Sequence, residues 1–177
     1  MMNEKNEKWR VTKAAIAATT NNNKWKQEVG ESAATIWLDR KGWNYFAVNA
    51  KINDKPESLA AIGGKRPDFC AEIKGELIYL DAKYHSCSNN EFYLEENEID
   101  QYVKLREWLH NERLDSGERD VIFMVFPQKH NATKLIFVHL DELNHGEVFL
   151  TDKGKPAKKV RLDDRDNLTF EVSLIPD

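Results

Sequence analysis

Two acidic residues and a lysine stand out in this sequence, because a short hairpin would bring them together. Asp68 follows Arg66-Pro67, and Asp81-Ala82-Lys83 begins thirteen residues after Asp68. Two short apolar segments lie between them and are interrupted at Lys74-Gly75, which predicts a β-hairpin with its turn there. In such a hairpin, residues whose numbers sum to about 149 or 150 lie opposite each other. Asp68 is therefore expected opposite Asp81 or Ala82.

Strand geometry also predicts which of these side chains share a face. Side chains alternate along a strand, so Asp81 and Lys83 point to one face and Ala82 to the other. Mg²⁺ prefers oxygen ligands and keeps several waters, so two carboxylates and a backbone carbonyl are enough to hold it. We therefore predict a magnesium site formed by Asp68, Asp81 and the backbone carbonyl of Ala82, and we expect Mn²⁺ to substitute.

This arrangement suits the hydrolysis of a phosphodiester. A divalent cation lowers the pKa of a bound water and neutralises charge that builds up on the phosphate. Lys83 is predicted to orient or activate that water and to stabilise the oxyanion at phosphorus. An Asp-x-Lys triplet on its own is usually a solvated pair on a strand face. The prediction therefore depends on the spacing of both acids along one hairpin.

Pro67-Asp68 followed by Asp81-Ala82-Lys83 resembles the signature of the PD-(D/E)xK nuclease superfamily, over about residues 27–127. The resemblance implies a restriction-endonuclease-like α/β fold, with a mixed sheet flanked by helices. It also implies a Mg²⁺-dependent nuclease that acts on DNA, preferably as an endonuclease. The order of predicted helices and strands is similar to that of Holliday-junction-resolvase-like members. The segment from Val48 to Asp68 is longer than in a compact resolvase and suggests a substrate loop.

Further site residues follow from the same resemblance. The superfamily pattern has a glutamate on a helix before the first strand, and Glu31 matches it as a third carboxylate at the metal. Gln101 resembles a glutamine that some branches place beside the metal site. From strand alternation, His85 shares the face of Lys83 and is a candidate for contact with a phosphate or a water. An ordinary surface histidine is the simpler interpretation of His85.

The charge distribution limits how DNA can be bound. The chain has 177 residues, 26 Lys and Arg against 30 Asp and Glu, and a formal net charge of −4. A non-specific nucleic-acid coat protein would be basic, so any DNA contact must be local. Lys65 and Arg66 beside the acidic pair are the predicted phosphate contacts, with Lys51 and Lys55 in the preceding loop. A basic run at 153–161 is explained at least as well by a solvated loop.

The pattern of apolar residues predicts a single α/β domain of 1–177. We expect an N-terminal helix or arm in 1–23, a core of about 24–128 and a β extension in 134–177. The run Val121-Ile-Phe-Met-Val-Phe126 predicts a strand covered on both faces. Glu95, Glu96 and Glu98 are explained by stabilisation of a helix N-terminus. Predicted helices span 8–20, 24–40 and 94–110; predicted strands outside the hairpin span 43–49, 121–126, 134–140, 146–150, 159–162 and 168–174.

Composition also bears on location and assembly. Cys70 and Cys87 form no CxxC pair or disulfide framework, which favours a reducing compartment, with Cys70 in the core and Cys87 free to be exposed. No segment resembles a secretory signal or a membrane span, so a cytoplasmic protein is expected. Cutting both strands of a duplex with one site per chain makes a homodimer plausible. The alternative function is a binding or assembly module of the same fold without catalysis.

Overall fold

The structure, a computed structural model, describes residues 23–48, 55–112, 121–163, 165 and 169–171. The helix predicted for 8–20 and Lys51 lie outside the described residues. Within them, the helices are α1 Asn23–Lys41, α2 Glu57–Ala61, α3 Glu96–Asn111 and α4 Leu140–Asn144. The strands are β1 Asn44–Ala47, β2 Phe69–Ile73, β3 Glu76–His85, β4 Glu91–Glu95, β5 Val121–Pro127, β6 Lys134–His139, β7 Glu147–Leu150, β8 Pro156–Arg161 and β9 Thr169–Glu171.

Six of these strands form one mixed sheet in the order β1-β2-β3-β5-β6-β9. Strands β3 and β5 are parallel, whereas the other neighbouring pairs in this sheet are antiparallel. Helix α1 covers one face of the sheet and α3 the other, as their separate core clusters show. The predicted fold class, a mixed sheet flanked by helices, is therefore confirmed.

The central strand β5 has buried side chains on both faces, as its apolar sequence predicted. Met124 and Phe126 belong to the core beneath α1, while Phe123 and Val125 belong to the core beneath α3. All four side chains are 0% exposed. The sheet is thus held between two hydrophobic layers, and burial of apolar area on both sides stabilises it.

The hairpin that carries the acidic residues has the predicted register. Phe69 pairs with Leu80 and Ile73 with Glu76, so opposed residue numbers sum to 149. Lys74 and Gly75 connect the strands with positive φ angles of 51° and 82°, which is the backbone of a two-residue hairpin turn. The pairing ends at Phe69 and Leu80, and the Asp68 N–H donates a hydrogen bond to the Leu80 carbonyl, so Asp68 and Asp81 both adjoin the last pair of the hairpin.

The region after the hairpin differs from the sequence prediction. The helix begins at Glu96 rather than Leu94, and residues 91–95 form strand β4, which was not predicted. Phe92 and Leu94 are buried while Glu91, Tyr93 and Glu95 are half-buried, the alternation of a strand. Strand β4 pairs with β8, which follows more than sixty residues later in the chain. A pairing at that separation cannot be inferred from a local pattern.

The predicted C-terminal β extension is divided between two sheets. Strands β6 and β9 extend the main sheet, whereas β7 and β8 join β4 in a second sheet of order β4-β8-β7. Gly146 precedes β7 and lies so close to β8 that an added Cβ would be 2.4 Å from the Lys159 carbonyl oxygen. The second sheet is therefore packed tightly against the turn that follows α4.

Two further expectations are corrected. Part of the predicted loop between Val48 and Asp68 is helical: α2 docks through buried Leu59 against the core beneath α3. Cys87, expected to be free for exposure, is only 7% exposed, and burial raises the pKa of its thiol to about 11. Cys70 is buried, as predicted. Among the described residues, no helix is long and apolar enough to cross a membrane.

Candidate active site

The candidate site forms where β3 extends beyond its partner β2. Pairing between the two strands ends at Phe69 and Leu80, so residues 81–85 of β3 continue without β2 beside them. The carboxylate of Asp68 takes the place of the missing strand, because its Oδ2 accepts a hydrogen bond from the Ala82 backbone N–H at 2.8 Å. Asp68 is thus fixed against the strand that carries Asp81 and Lys83.

Lys83 lies at the centre of a network of polar side chains. Its Nζ is 2.8 Å from Asp81 Oδ1 and 2.9 Å from Glu98 Oε1, and it donates a hydrogen bond to the Tyr102 hydroxyl at 3.0 Å. Asp81 is only 3% exposed, which makes it one of the few buried charged residues in the described structure. The predicted sharing of one face by Asp81 and Lys83 is therefore observed.

Glu98 and Tyr102 were not identified as site residues from the sequence. Both lie on α3, one turn apart, and Glu98 Oε1 also accepts a hydrogen bond from Lys65 Nζ at 2.5 Å. They are four residues apart and so lie on the same helical face, and this spacing was the feature of the sequence that could have identified them as a pair. The sequence could not show that this face packs on Lys83, because the contact depends on the docking of α3 against the sheet.

Helix α1 lies close to β3 because Gly30 has no side chain. A Cβ at this position would be 3.2 Å from the Tyr84 backbone nitrogen and 3.5 Å from the Ala82 carbonyl oxygen. The next residue is Glu31, whose carboxylate Oε1 accepts a hydrogen bond from Gln27 at 2.7 Å. The charge of Glu31 contributes to the raised pKa of Asp68, so the predicted third carboxylate lies within electrostatic reach of the acidic pair.

Burial and the neighbouring charges shift the pKa of Asp68 strongly. Burial and the charge of Asp81 raise its pKa from the ordinary 3.8 to about 8, and the hydrogen bond from Ala82 only partly opposes this. The reason is that two carboxylates close together in a poorly solvated place cannot both ionise easily. In the absence of a cation, Asp68 therefore holds a proton at neutral pH.

The lysine and the glutamate beside it are charged. Burial alone would lower the pKa of Lys83, but Asp81, Tyr102 and Glu98 together hold it well above its ordinary value. Burial alone would raise the pKa of Glu98, yet Lys83 and Lys65 lower it to about 2. Lys83 is therefore an ammonium group and a hydrogen-bond donor at all physiological pH values.

An open cleft of about 600 Å³ is lined by Asp68, Asp81, Ala82, Lys83 and Glu98. Of the other predicted site residues, Lys65 and His85 also line it, whereas Glu31, Gln101 and Arg66 are not among its lining residues. The backbone carbonyl of Gln101 accepts a hydrogen bond from the Lys65 N–H at 3.0 Å, so Gln101 anchors the segment before Asp68. His85 Nδ1 is 2.9 Å from the Ser86 carbonyl oxygen, and burial lowers its pKa.

Three cations of the basic run at 153–161 form ion pairs within the protein. Lys155 is 3.0 Å from Glu95, Lys159 is 3.1 Å from Glu91, and Arg161 is 2.7 Å from Asp163. These cations lie mainly on the second sheet, where cross-strand pairs of opposite charge are a common stabilising arrangement.

The donor set fits a hard divalent cation. Among the described residues, no group of three or more His, Cys, Asp and Glu side chains is arranged to hold a metal ion. The facing carboxylates of Asp68 and Asp81 supply two oxygen ligands, and a cation between them would relieve the repulsion that raises the pKa of Asp68. Mg²⁺ takes one or two carboxylates and completes its coordination with carbonyls and waters. The residues present therefore suit Mg²⁺.

Comparisons with known proteins give a likeness at the level of structure. No family model matches the chain, and no curated protein matches it. The chain is similar to the Holliday junction resolvase Hjc of Archaeoglobus fulgidus, with 16% identity, a TM-score of 0.44, and coverage of 83% of this chain and 92% of that one. It is also similar to the bacterial homing endonuclease I-Ssp6803I, with 11% identity, a TM-score of 0.44, and coverage of 83% and 80%.

Proposed function

We propose that this chain is a Mg²⁺-dependent nuclease that hydrolyses phosphodiester bonds in DNA, with endonucleolytic attack as the preferred mode. The observation that carries the proposal is that Asp68, fixed to the Ala82 N–H beside Asp81, and the Lys83 ammonium, 2.8 Å from Asp81, all line one open cleft. A site of two acids and a fixed cation matches the needs of phosphodiester hydrolysis.

Asp68, Asp81 and the Ala82 carbonyl are the residues that would hold Mg²⁺, with Glu31 as a further carboxylate nearby. When bound, the ion would neutralise charge on the phosphate and make a water more acidic. Mn²⁺, which also prefers oxygen ligands, is expected to substitute. The remaining roles in the proposed reaction belong to side chains of this chain.

Lys83 acts as a fixed cation in this proposal. Since its pKa is held well above the ordinary value, Lys83 orients the attacking water and stabilises the phosphorane oxyanion rather than removing a proton. The water oxygen forms a new bond to phosphorus, and the bond from phosphorus to one sugar oxygen breaks. The products are a phosphate monoester and a sugar hydroxyl, with the remaining proton released to solvent.

Glu98 and Tyr102 are positioning residues for Lys83. Their oxygens lie 2.9 Å and 3.0 Å from the lysine Nζ, so they limit where the ammonium can point. Preorganised charges stabilise a transition state without a cost of reorientation during the reaction. Lys65 lines the same cleft, and we propose that it contacts DNA phosphates, with Arg66 beside it in the chain.

A panel of substrates tests the proposal. Purified protein is incubated with supercoiled plasmid, branched DNA, single-stranded DNA and RNA, each with Mg²⁺, Mn²⁺ or EDTA. We expect DNA cleavage with either metal, none with EDTA, and none with Asp81→Asn. Glu72→Gln is the matched control, because Glu72 is an exposed carboxylate on the same hairpin that contacts Asn44 instead of the cleft.

Two outcomes would contradict the proposal. One is the absence of cleavage of every nucleic acid with both metals. The other is cleavage by Asp81→Asn at the rate of the Glu72→Gln control. DNA binding without cleavage by the unmodified protein would instead support the non-catalytic binding module.

A further inference from the structure

The cleft continues beyond Lys83 to a group of aromatic side chains that the proposed chemistry does not use. His85 ends β3, Tyr93 lies on β4, and both are half-buried residues that line the cleft. We call these two residues the aromatic wall. By the rise of an extended strand, the wall begins about 13 Å from Asp81, within reach of a nucleotide near a phosphate held there.

The rings of the wall are held in place by other aromatic residues. The His85 and Tyr93 rings are 4.9 Å apart and nearly perpendicular. Tyr93 is held at 5.2 Å by Phe149 of the second sheet, and His85 at 5.4 Å by Phe92 of β4. Edge-to-face contacts of this kind stabilise ring orientation. Because the rings are already ordered, stacking of a ligand on them would cost little conformational entropy.

Aromatic rings in a nucleic-acid cleft are useful chiefly to unpaired bases. An unpaired base stacks on a side-chain ring whatever its sequence, because every base has a π face. In a paired duplex the neighbouring base pairs cover those faces, and only base edges are presented in the grooves. A duplex lying in this cleft would bring sugars and phosphates to the wall, and the rings would gain no stacking.

The lysines of the second sheet, beside the wall, offer little to the phosphates of an intact duplex. Binding to duplex phosphates requires Lys and Arg side chains that face outward. On the second sheet beside Tyr93, the lysines Lys155 and Lys159 are within 3.0 Å and 3.1 Å of Glu95 and Glu91. Cations engaged with carboxylates offer less attraction to phosphates, so stacking must contribute a larger share of the affinity.

We infer that a nucleotide near the scissile phosphate is unpaired and stacks on the aromatic wall. The substrate class is DNA with a single-stranded segment at the point of cleavage, rather than continuous duplex. This inference rests on the proposed nuclease function and assigns Tyr93 and His85 to substrate selection. It also gives the second sheet a role, because β4 contributes Tyr93 to the cleft.

Binding of labelled oligonucleotides tests the inference without requiring catalysis. Fluorescence anisotropy in EDTA compares a single strand, the same strand as a perfect duplex, and the single strand with one abasic nucleotide placed in turn at each position. We expect the single strand to bind at least tenfold more tightly than the duplex, and one abasic position to weaken binding roughly tenfold.

Two substitutions of Tyr93 identify the ring as the partner of the base. Tyr93→Leu retains an apolar side chain without a ring and is expected to bind the intact strand roughly tenfold more weakly, with no further effect of the abasic position. Tyr93→Phe retains the ring and is expected to bind as the unmodified protein does. Thermal unfolding of both variants verifies folding, and the abasic strands test the unmodified protein even if Tyr93→Leu does not fold.

Cleavage in Mg²⁺ separates a failure of this inference from a failure of the proposed function. Faster cutting of a duplex with an unpaired stretch than of a perfect duplex supports both ideas. Equal cutting of the two substrates, or duplex affinity equal to single-strand affinity, overturns the inference and leaves the nuclease intact. If no DNA is cut at all, the proposed function fails, while the binding experiment still decides whether the wall takes an unpaired base.

Discussion

At the scale of single residues, one cleft holds two carboxyl groups in opposite protonation states. Asp68 faces another carboxylate, and burial together with that charge raises its pKa to about 8. Glu98 is also partly buried, but two lysines contact it and lower its pKa to about 2. Partners, rather than burial alone, therefore decide which acid is charged. Asp68, whose pKa a neighbouring carboxylate raises, is the acid whose charge a bound divalent cation would stabilise.

The raised pKa of Asp68 predicts how stability depends on pH in the absence of divalent cations. Above pH 3.8 an unfolded chain releases this proton, whereas the folded protein retains it up to about pH 8. The folded state then binds more protons, so its stability decreases as the pH rises through this window. Asp68→Asn removes that dependence. We expect the variant to match the unmodified protein near pH 4 and to be the more stable near pH 8.

Urea unfolding at a series of pH values in EDTA measures this effect. Glu72→Gln, on the same hairpin but outside the cleft, should keep the pH dependence of the unmodified protein. Addition of Mg²⁺ at pH 8 should stabilise the unmodified protein and not Asp68→Asn. Parallel pH profiles for the unmodified protein and Asp68→Asn would show that Asp68 does not hold the proton.

Glu98 provides a second prediction at this scale. Glu98→Gln removes the negative charge that holds Lys83 and Lys65, so the lysine ammonium should lose its fixed orientation. We expect kcat for DNA cleavage to fall roughly ten- to a hundredfold while Mg²⁺ affinity stays unchanged. Steady-state kinetics and calorimetry measure the two quantities. Glu96→Gln, in the first turn of the same helix, is the control.

Two other results for Glu98→Gln would contradict the positioning role of Glu98. If kcat is unchanged, Lys83 does not depend on this contact. If Mg²⁺ affinity is lost together with kcat, Glu98 acts at the metal rather than on the lysine.

The sequence was sufficient to predict that the site residues of the hairpin lie close together. Asp68, Asp81 and Lys83 could be placed together because a two-residue turn and strand alternation fix their relative positions. Glu98 and Tyr102 could not, because they reach Lys83 only after α3 docks on the sheet. The same reason applies to Tyr93, since β4 is positioned by pairing with β8.

At the scale of secondary structure elements, the site depends on a strand end that α1 covers. Residues 81–85 of β3 extend beyond β2, and Gly30 allows the helix to approach the backbone of Ala82 and Tyr84. A glycine inside a helix costs about 1 kcal/mol relative to alanine. Its presence here is explained by the close approach, which also sets the position of Glu31.

Gly30→Val should therefore impair both packing and activity. A Cβ at this position would be 3.2 Å from a backbone nitrogen of β3, and a branched side chain needs still more room. We expect a loss of about 1–3 kcal/mol in the free energy of unfolding, with reduced cleavage because α1 and Glu31 move away from the site. Urea unfolding and the cleavage assay measure these effects. Glu28→Val, on an exposed position of α1, controls for helix propensity.

The outcome for Gly30→Val separates two explanations of the contact. A variant as stable as Glu28→Val would mean that α1 is not closely packed on β3. A destabilised variant with full activity would mean that the position of Glu31 is unimportant for cleavage, and Glu31 would then be removed from the site.

At the scale of the whole molecule, two hydrophobic cores share one sheet. Trp37 belongs to the core beneath α1, whereas Trp108 packs against the core beneath α3. Strand β5 contributes side chains to both, so neither core can persist when the sheet unfolds. The two layers are therefore expected to unfold together.

Urea unfolding should show a single transition by every probe. We compare a Trp25→Phe, Trp37→Phe and Trp43→Phe triple variant, which retains Trp108 beside the α3 core, with Trp108→Phe, which retains the three tryptophans of the α1 core. We expect the tryptophan fluorescence of each variant to follow its own far-UV circular dichroism curve. Midpoints that differ between fluorescence and circular dichroism would show that one layer unfolds independently.

The central claim is that Asp68, Asp81 and Lys83 perform metal-dependent hydrolysis of DNA. The most direct measurement is the single-turnover rate of DNA cleavage in Mg²⁺ by the unmodified protein, by Asp81→Asn and by Glu72→Gln. We predict cleavage by the unmodified protein and by Glu72→Gln, with a decrease of at least roughly a hundredfold for Asp81→Asn. Equal rates for all three proteins, or no cleavage by any of them, would contradict the claim.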